Sequence, residues 1–383
     1  MSFKDKVAGV VFGTAYGDAL GATIEKLTYQ EIKEKYGEVN SICNEWWKSD
    51  WESERRLNRM RGNGIVTDDT LMTTALIQTY LKVGRHIDCW DMADEFLRQL
   101  VYVRRYIPEF GFESVIQERL FYPEKYIFQR HVLANCEPRE GGYGNMINCG
   151  AAMYISPIGI VNAGNPIAAY NEAILFACGH QASYGLEAAG VLAACVAEAF
   201  KADATIDSVI ERAMAIAKDG TKAAIRGMIG CADELCRSGI FDQDTVVSAF
   251  HTEILKYSPM ADDVNRSEDK LGIASNHYAP SRFRSIEELP MALAYMRLYQ
   301  DFETSIVKAV NSGRDTDSIG VMIGAISGAL YGQSIVSKRD QKLLEDVNQL
   351  QLEENAALFA HLAEKIIRQD VTKAKSQERI IRR

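Results

Sequence analysis

Hydrophobic positions recur at spacings of three and four residues through most of the chain. This periodicity is typical of helices, and the alternation that would indicate strands is scarce. The predicted helices cover residues 4–25, 67–83, 88–104, 166–179, 184–201, 204–218, 221–237, 243–256, 287–299, 302–312 and 317–332. The eight prolines fall mostly between these segments. The pattern therefore predicts an all-α fold.

The domain organisation is expected to be simple, because neither a low-complexity linker nor a clean repeat divides the sequence. Residues 1–336 are predicted to form one compact, multi-helix catalytic domain. Residues 337–383 are charged and amphipathic, and we expect a C-terminal helical extension packed on, or trailing from, that domain. Residues 38–64, 105–148 and 257–286 are less regular, and long irregular segments in a compact domain are often functional.

Composition and charge exclude several classes of partner. The 383 residues include 43 Lys and Arg against 52 Asp and Glu, a formal net charge of −9. This balance argues against a nucleic acid or an anionic membrane as the main partner. No apolar run reaches the roughly 18 residues that span a bilayer, and the N-terminus lacks a signal-peptide pattern. The eight cysteines are scattered without a CxxC pair, which favours reduced thiols in a cytoplasmic protein.

Glycine recurs at every fourth position in two predicted helices. On a helix this spacing forms one smooth stripe, although each glycine costs about 1 kcal/mol in a helix interior. The stripes consist of Gly9, Gly13, Gly17 and Gly21, and of Gly320, Gly324 and Gly328. They predict that another backbone packs closely, and the two stripes could pack on each other. Tight packing alone does not explain the acidic residues at the stripe ends, among them Glu25.

Paired carboxylates stand at two predicted helix starts. In TDDT, Thr67 is a good N-cap, and Asp68 and Asp69 lie in the first turn, where the helix dipole favours anions. Capping alone could account for this motif. The sequence DTDS repeats the arrangement, and carboxylates and hydroxyls are ligands that hard divalent cations prefer. Together the motifs predict a site for two Mg²⁺ or Mn²⁺ ions. The predicted ligands are Thr67, Asp68, Asp69, Asp315, Asp317 and Ser318.

Four motifs, in chain order, resemble those of the ADP-ribosylglycohydrolase family. They are GDALGATIE, TDDT, CGAAMYISPIGI and GRDTDSIGVMIGAISGAL, and the resemblance runs from about residue 7 to residue 332. It implies an all-α fold, a binuclear Mg²⁺ or Mn²⁺ centre held by the same six residues, and hydrolysis of the glycosidic bond between ADP-ribose and a protein side chain or small acceptor. An ADP-ribosylated protein or a ribosylated small molecule is therefore the expected partner.

The resemblance also implies roles for individual residues. Glu25 matches an acidic residue near the substrate and the metals and is the first candidate for proton transfer, with Asp69 and Asp315 as further catalytic residues. Residues 149–159 match a loop that cradles the ribose and diphosphate, in which backbone amides around Gly150 would hold a phosphate. The implied substrate contacts are Gly150, Ala151, Met153 and His180. Arg314 is a further candidate, which could contact an anionic substrate or simply pair with a surface acid. Further candidates are Trp46, Trp47, Trp51, Tyr143, Tyr154 and His277.

The substrate loop departs from the family pattern. Members that bind ADP-ribose commonly have Gly-Asn-Gly and a following Arg, where this chain has Asn148-Cys149-Gly150 and Tyr154, and Arg314 stands where a second glycine often precedes the first Asp. One alternative is therefore a metal-dependent N-glycosidase acting on small ribosides. Another is a non-catalytic relative, since the family resembles some lens crystallins. The oligomeric state is not predicted.

Overall fold

The computed structural model describes residues 1–257 and 286–382. Within these ranges the regular secondary structure is helical apart from one antiparallel hairpin, formed by β1 (Arg104–Ile107) and β2 (Phe112–Val115). The predicted all-α fold is confirmed. The helices are α1 (Phe3–Ala22), α2 (Tyr29–Tyr36), α3 (Asp68–Val83), α4 (Cys89–Asp91), α5 (Leu97–Val101), α6 (Ile116–Arg119), α7 (Tyr122–Ala134), α8 (Ser156–Val161), α9 (Pro166–Ala177), α10 (Ser183–Ala199), α11 (Ile206–Ile216), α12 (Asp219–Arg237), α13 (Gln243–Ile254), α14 (Glu288–Tyr299), α15 (Phe302–Val310), α16 (Thr316–Tyr331), α17 (Lys338–Asn348) and α18 (Leu352–Ile381).

The helix predictions are correct in type, and their errors lie at the ends. The segment predicted over 88–104 is helical only as far as Val101, with a π-helical turn at Met92–Phe96, and Arg104 already belongs to β1. A four-residue strand is too short for its alternation to be recognised. Helices α2, α6, α7 and α8 were not predicted. Helix α2 buries a single side chain, Ile32, and so lacks the apolar face that the periodicity detects.

Helices α1 and α16 pack antiparallel, with glycine against glycine. A Cβ atom on Gly9 would lie 2.5 Å from the carbonyl oxygen of Gly328, and one on Gly17 would overlap the carbonyl group of Gly320. The backbones are therefore in direct contact, as the two stripes predicted. The Thr316 hydroxyl donates to the carbonyl oxygen of Gly21 at 2.8 Å. This contact brings the end of α1 beside the start of α16, where the acidic residues lie.

The C-terminal helices pack on the same body of structure. Phe359 of α18 contacts Tyr80 of α3, with ring centroids 5.5 Å apart. The Asn348 side chain of α17 donates to the carbonyl oxygen of Gly64 at 2.8 Å and accepts from the N–H of Val66 at 3.0 Å. It thereby fixes the segment that leads into α3. The end of α18 is exposed, and the division at residue 336 stays a prediction. Among the described helices, none has both the length and the apolar character needed to cross a membrane.

Candidate metal centre

The start of α3 has the cap geometry that TDDT predicts. Thr67 is the N-cap residue, and its hydroxyl accepts from the Asp69 N–H at 3.4 Å and lies 3.2 Å from Asp69 Oδ2, to which it can donate. Asp68 and Asp69 follow in the first turn, and both side chains are buried. Two carboxylates are thus held at a helix N-terminus, away from bulk water.

Asp18 of α1 connects this helix start to the glycine stripe. Its carboxylate accepts from the N–H groups of Thr67 at 2.9 Å and Thr70 at 3.0 Å, and from the Thr70 hydroxyl at 2.5 Å. Burial raises the pKa of Asp18 to about 6, although these hydrogen bonds oppose the shift. The sequence analysis did not assign Asp18. The sequence nevertheless marks Asp18 as unusual, because it is the single charged residue between Val7 and Ile24.

The two acidic motifs meet in the structure. Ser318 donates from its hydroxyl to Asp69 Oδ1 at 3.1 Å, which joins the start of α16 to the start of α3. The thiol of Cys149 donates to Asp315 Oδ2 at 3.2 Å and lies 3.4 Å from the Ser318 hydroxyl. Cys149 is a residue that the sequence analysis noted only as a departure from the family loop. It lies between the two motifs.

The carboxylates form two overlapping groups of potential ligands. One oxygen each of Glu25, Asp315 and Asp317 lie within 4.8 Å of one another, and so do the donor atoms of Cys149, Glu288 and Asp315. Asp315 belongs to both groups. Asp68 and Asp69 belong to neither of the groups found in the described part of the chain. Their predicted role as ligands rests on the position of the α3 start beside Ser318.

The electrostatics of the site suit a divalent cation. Burial, together with neighbouring carboxylates, raises the pKa of both Asp69 and Asp317 well above the usual range. Negative groups crowded in a dry site resist ionisation unless positive charge is supplied. The donors are mainly carboxylate and hydroxyl oxygens, which Mg²⁺ and Mn²⁺ prefer. The residues present therefore fit the ions that the sequence predicted.

A buried network of arginines surrounds the acidic motifs. Arg61 is ion-paired with Glu25, donates to Glu109 at 2.8 Å and lies 3.9 Å from Asp317. Arg119 is ion-paired with both Glu109 and Asp68. Burial alone would raise the pKa of Glu109, but the nearby arginines lower it to about 2. The sequence analysis missed this network, because its members lie in irregular segments without a recognisable motif.

The segment around Gly150 is packed more tightly than expected. The Gly150 N–H donates to Asn148 Oδ1 at 2.9 Å, and a Cβ atom on Gly150 would lie 2.7 Å from Glu124 Oε1. Ala151 and Met153 are buried beside it. The Gly150 amide already has Asn148 as its partner, so that a phosphate bound to this amide would have to replace that hydrogen bond. A phosphate site formed by the amides around Gly150 stays a prediction.

His180 lies behind that segment and is fully buried. Its Nδ1 is 2.9 Å from the Tyr154 hydroxyl, and its ring packs on Phe128 with centroids 4.9 Å apart. Burial lowers the pKa of His180 to about 3 and raises that of Glu124 to about 7. The imidazole is therefore neutral around pH 7, and contact between His180 and substrate stays a prediction.

Arg314 is also buried, next to the first acidic residue of α16. Its guanidinium donates to Glu287 at 2.7 Å, and its backbone is left-handed, with φ 72°. Glycine adopts this conformation without strain, which is consistent with the family's usual glycine here. Arg314 as a substrate contact stays a prediction.

The aromatic candidates lie in two places. Trp47 donates from its indole to the carbonyl oxygen of Glu25 at 3.0 Å, and Lys48 lies over the rings of Trp47 and Trp51 at 4.5 and 5.0 Å. The tryptophan segment therefore supports the backbone of Glu25. Tyr143 is exposed, and His277 falls outside the described residues.

Comparison with known proteins agrees with the geometry. The sequence model of the family described as ADP-ribosylglycohydrolase matches residues 1–374. The ADP-ribosyl-[dinitrogen reductase] glycohydrolase of Rhodospirillum rubrum is 24% identical over 351 residues, 90% of this chain and 94% of that protein. An uncharacterized protein of Archaeoglobus fulgidus is 26% identical over 353 residues, 90% of this chain and 95% of its own. The uncharacterized Escherichia coli protein YegU is 23% identical over 370 residues, with 93% and 96% covered.

A solved structure, titled ADP-ribosylglycohydrolase-related protein complex, has a similar fold. It superposes with a TM-score of 0.59 at 21% identity and covers 94% of this chain and 99% of its own. At this identity the likeness concerns the fold alone, whereas the family match extends over nearly the whole sequence. The chain therefore belongs to the ADP-ribosylglycohydrolase family and is a hydrolase of the glycosidase type.

Proposed function

We propose that this protein is a metal-dependent glycohydrolase that cleaves the C1′ glycosidic bond of an ADP-ribosylated protein or small molecule. Family membership supports glycohydrolase activity on ADP-ribosyl compounds. The observation that carries the metal dependence is the convergence of three carboxylates, those of the partly buried Glu25 and Asp315 and of the buried Asp317. Arg61 offsets part of this negative charge through its ion pair with Glu25 and its approach to Asp317, and a divalent cation would offset more of it.

The proposed ligand set joins the two helix starts. Thr67, Asp68 and Asp69 would contribute from α3, and Asp315, Asp317 and Ser318 from α16, to hold two Mg²⁺ or Mn²⁺ ions. When bound, such ions lower the pKa of a coordinated water and orient the hydroxyl groups of a sugar. The Ser318–Asp69 hydrogen bond keeps the two halves of this set together.

Glu25 is the proposed proton-transfer residue. Its carboxylate lies in the same group as Asp315 and Asp317, and its ion pair with Arg61 fixes its orientation. During hydrolysis the bond from C1′ to the leaving group breaks through an oxocarbenium-like state, and the oxygen of water bonds to C1′. Glu25 would accept the proton that this water loses and pass it to the leaving group, which returns Glu25 to its starting state. Asp69 and Asp315 would orient the reacting groups.

Small ribosides are a second candidate class of substrate. The Gly150 N–H is bonded to Asn148, and Tyr154 is buried against His180, so this segment offers few free donors for a diphosphate. A site with this lining would favour a ribosylated compound without the ADP group. The non-catalytic, crystallin-like alternative remains distinct from both, because it requires no metal binding.

The proposal is tested by turnover and metal binding together. ADP-ribosyl-arginine, ADP-ribosyl-serine and a panel of N-ribosides are incubated with the full chain and Mg²⁺ or Mn²⁺, with and without EDTA. Asp317→Ala should lose metal binding by calorimetry and turnover while its circular dichroism spectrum is kept. Asp346→Ala, an exposed aspartate of α17, is the control and should behave as the wild type.

The outcomes separate the alternatives. Release of ADP-ribose that EDTA and Asp317→Ala abolish supports the main proposal and identifies the acceptor. Cleavage of ribosides alone keeps the metal chemistry and selects the second class of substrate. An active Asp317→Ala variant that binds no metal contradicts the proposed mechanism, and a wild-type chain that binds neither ion and cleaves nothing selects the non-catalytic alternative.

A further inference from the structure

Glu109 is a fully buried carboxylate in the turn between β1 and β2. Its Oε1 accepts from Arg61 Nε at 2.8 Å, and its Oε2 accepts from Arg119 Nε. The carbonyl oxygen of Glu109 also accepts from the N–H of Met60 at 2.7 Å. The hairpin turn is therefore joined, through backbone and side chain, to the segment that carries Arg61.

Both arginines also pair with acidic residues of the site through Nη1. Arg61 Nη1 is paired with Glu25 and lies 3.9 Å from Asp317 Oδ2, and Arg119 Nη1 is paired with Asp68. The result is a chain of alternating charges with Glu109 at its middle. One end reaches the carboxylates at the close of α1 and the start of α16, and the other end reaches the start of α3.

Stability alone is a weak explanation for this network. Desolvating buried ions costs more than many ion pairs return, and apolar residues of similar volume are often as stable. The arrangement does have a geometric consequence, because the planar guanidinium holds two acceptors at a fixed separation. Because Arg61 and Arg119 both bond to Glu109, this one carboxylate sets the distance between the acceptors at their other ends, Glu25 and Asp68.

We propose that Glu109 is a positioning residue for the metal centre, which it controls through Arg61 and Arg119 without touching metal or substrate. It holds Glu25 and Asp317 on one side, and Asp68 on the other, at the separation that metal binding requires. The guanidinium groups also neutralise these carboxylates in the metal-free protein, so that the site is formed in advance. This inference rests on the metal dependence proposed above.

The chain contains a matched control in Glu198 of α10. This carboxylate is also largely buried and also accepts from two cations, Lys201 at 2.9 Å and Arg212 at 3.0 Å. Neither cation contacts an acidic residue of the metal centre in the ion pairs described. Removing the charge of Glu198 tests the general cost of breaking such a network, whereas removing the charge of Glu109 tests the effect on the site.

The experiment is a calorimetric titration of the full chain with MnCl₂, well below each variant's Tm. Glu109→Gln should weaken Mn²⁺ binding by about 10–100-fold, the range that residues supporting a metal's ligands usually show. Glu198→Gln should lower Tm but leave the Kd for Mn²⁺ within about twofold of the wild type.

If Glu109→Gln fails to fold, Glu109→Asp and Arg61→Lys take its place. Arg61→Lys keeps the positive charge but lacks the planar N–H donors of the guanidinium, and it should weaken Mn²⁺ binding as well.

Every outcome either supports or overturns the positioning role of Glu109. Wild-type affinity in a folded Glu109→Gln, or in both replacement variants, overturns the positioning role. Equal weakening by Glu198→Gln also overturns it, because the effect would then be a general loss of stability. A wild-type chain that binds neither Mn²⁺ nor Mg²⁺ overturns the proposed metal dependence itself, and the inference with it. Selective weakening in the Glu109 and Arg61 variants establishes the role.

Discussion

Ser318 donates a hydrogen bond of 3.1 Å to Asp69 Oδ1, although 249 residues separate them in the sequence. This bond is the direct link between the two acidic helix starts. The same hydroxyl lies 3.4 Å from the thiol of Cys149. Ser318 of α16 therefore contacts both the start of α3 and the segment before Gly150.

Replacing Ser318 tests whether the hydroxyl matters to the site. Ser318→Ala should weaken Mn²⁺ binding by roughly 1.5–3 kcal/mol, the usual worth of a hydrogen bond to a charged group. Ser318→Thr keeps the hydroxyl and should restore most of the affinity. Calorimetric titration of both variants measures the difference, and equal affinity of Ser318→Ala and wild type would contradict the link.

The glycine stripes predict a large effect at Gly17. A Cβ atom there would overlap the carbonyl group of Gly320, so that α1 and α16 would have to separate. We expect Gly17→Ala to lower the free energy of unfolding by at least about 3 kcal/mol. Gly230 of α12 is the control, because a Cβ atom there meets nothing within 4 Å. Gly230→Ala should raise stability by about 0.5–1 kcal/mol, and urea denaturation compares the two.

Cys149 places a soft donor beside the proposed oxygen ligands, 3.2 Å from Asp315 Oδ2. Sulfur favours softer metals, whereas carboxylates and hydroxyls suit Mg²⁺. We expect Cys149→Ser to reduce the affinity for Co²⁺ and Zn²⁺ by about tenfold while leaving that for Mg²⁺ nearly unchanged. The wild type with Co²⁺ should show a sulfur-to-cobalt charge-transfer band that Cys149→Ser lacks. Cys195→Ser, at a buried thiol of α10, is the control, and a band that persists in Cys149→Ser would exclude sulfur ligation.

His86 connects α18 to the rest of the protein, with Nδ1 2.6 Å from Glu172 and Nε2 2.7 Å from Asp370. The hydrogen bond to Glu172 is the main cause that raises the pKa of His86 to about 9, with Asp370 contributing and burial opposing. The folded-state pKa lies above the ordinary value of about 6.5. The stabilisation is therefore complete below about pH 6.5 and is lost as pH rises through about 9.

His86→Gln should remove this pH-dependent stabilisation. Urea unfolding of the two proteins should show the largest difference in the free energy of unfolding near pH 6, and a much smaller one above about pH 9. Proteolysis should also release the end of α18 more readily from the variant. A difference that stays constant across this range would show that the imidazolium does not contribute.

The sequence predicted those features that depend on local spacing. The four-residue glycine period indicated a backbone contact, and Thr67 with its two aspartates indicated a capped helix, because both patterns have direct geometric consequences. Asp18 was equally accessible, since a lone charge in an apolar helix must find a partner. The helix ends were less accurate, because the last turn of a helix frays and depends on its neighbours.

The arginine network could not be predicted in the same way. Arg61, Glu109 and Arg119 lie in three segments with no shared spacing, and charged residues in such segments usually face water. Their burial follows from the tertiary packing of the hairpin with α6 and of α6 with α3, which no local pattern records. The hydrogen bond from the Gly150 amide to Asn148 was not predictable for a related reason, because the sequence shows Asn148 but not the direction of its side chain.

The pairing of α1 with α16 determines when the protein can become active during its synthesis. Thr316 contacts Gly21 across 295 residues, so the emerging chain carries an uncovered glycine surface until α16 leaves the ribosome. Contacts of such sequence separation close late and slowly, and a chain of this length exposes apolar surface in the meantime. Truncated products that end before α16 would therefore lack both the site and the cover for their first helix, which makes them substrates for chaperones and proteases rather than partly active enzymes.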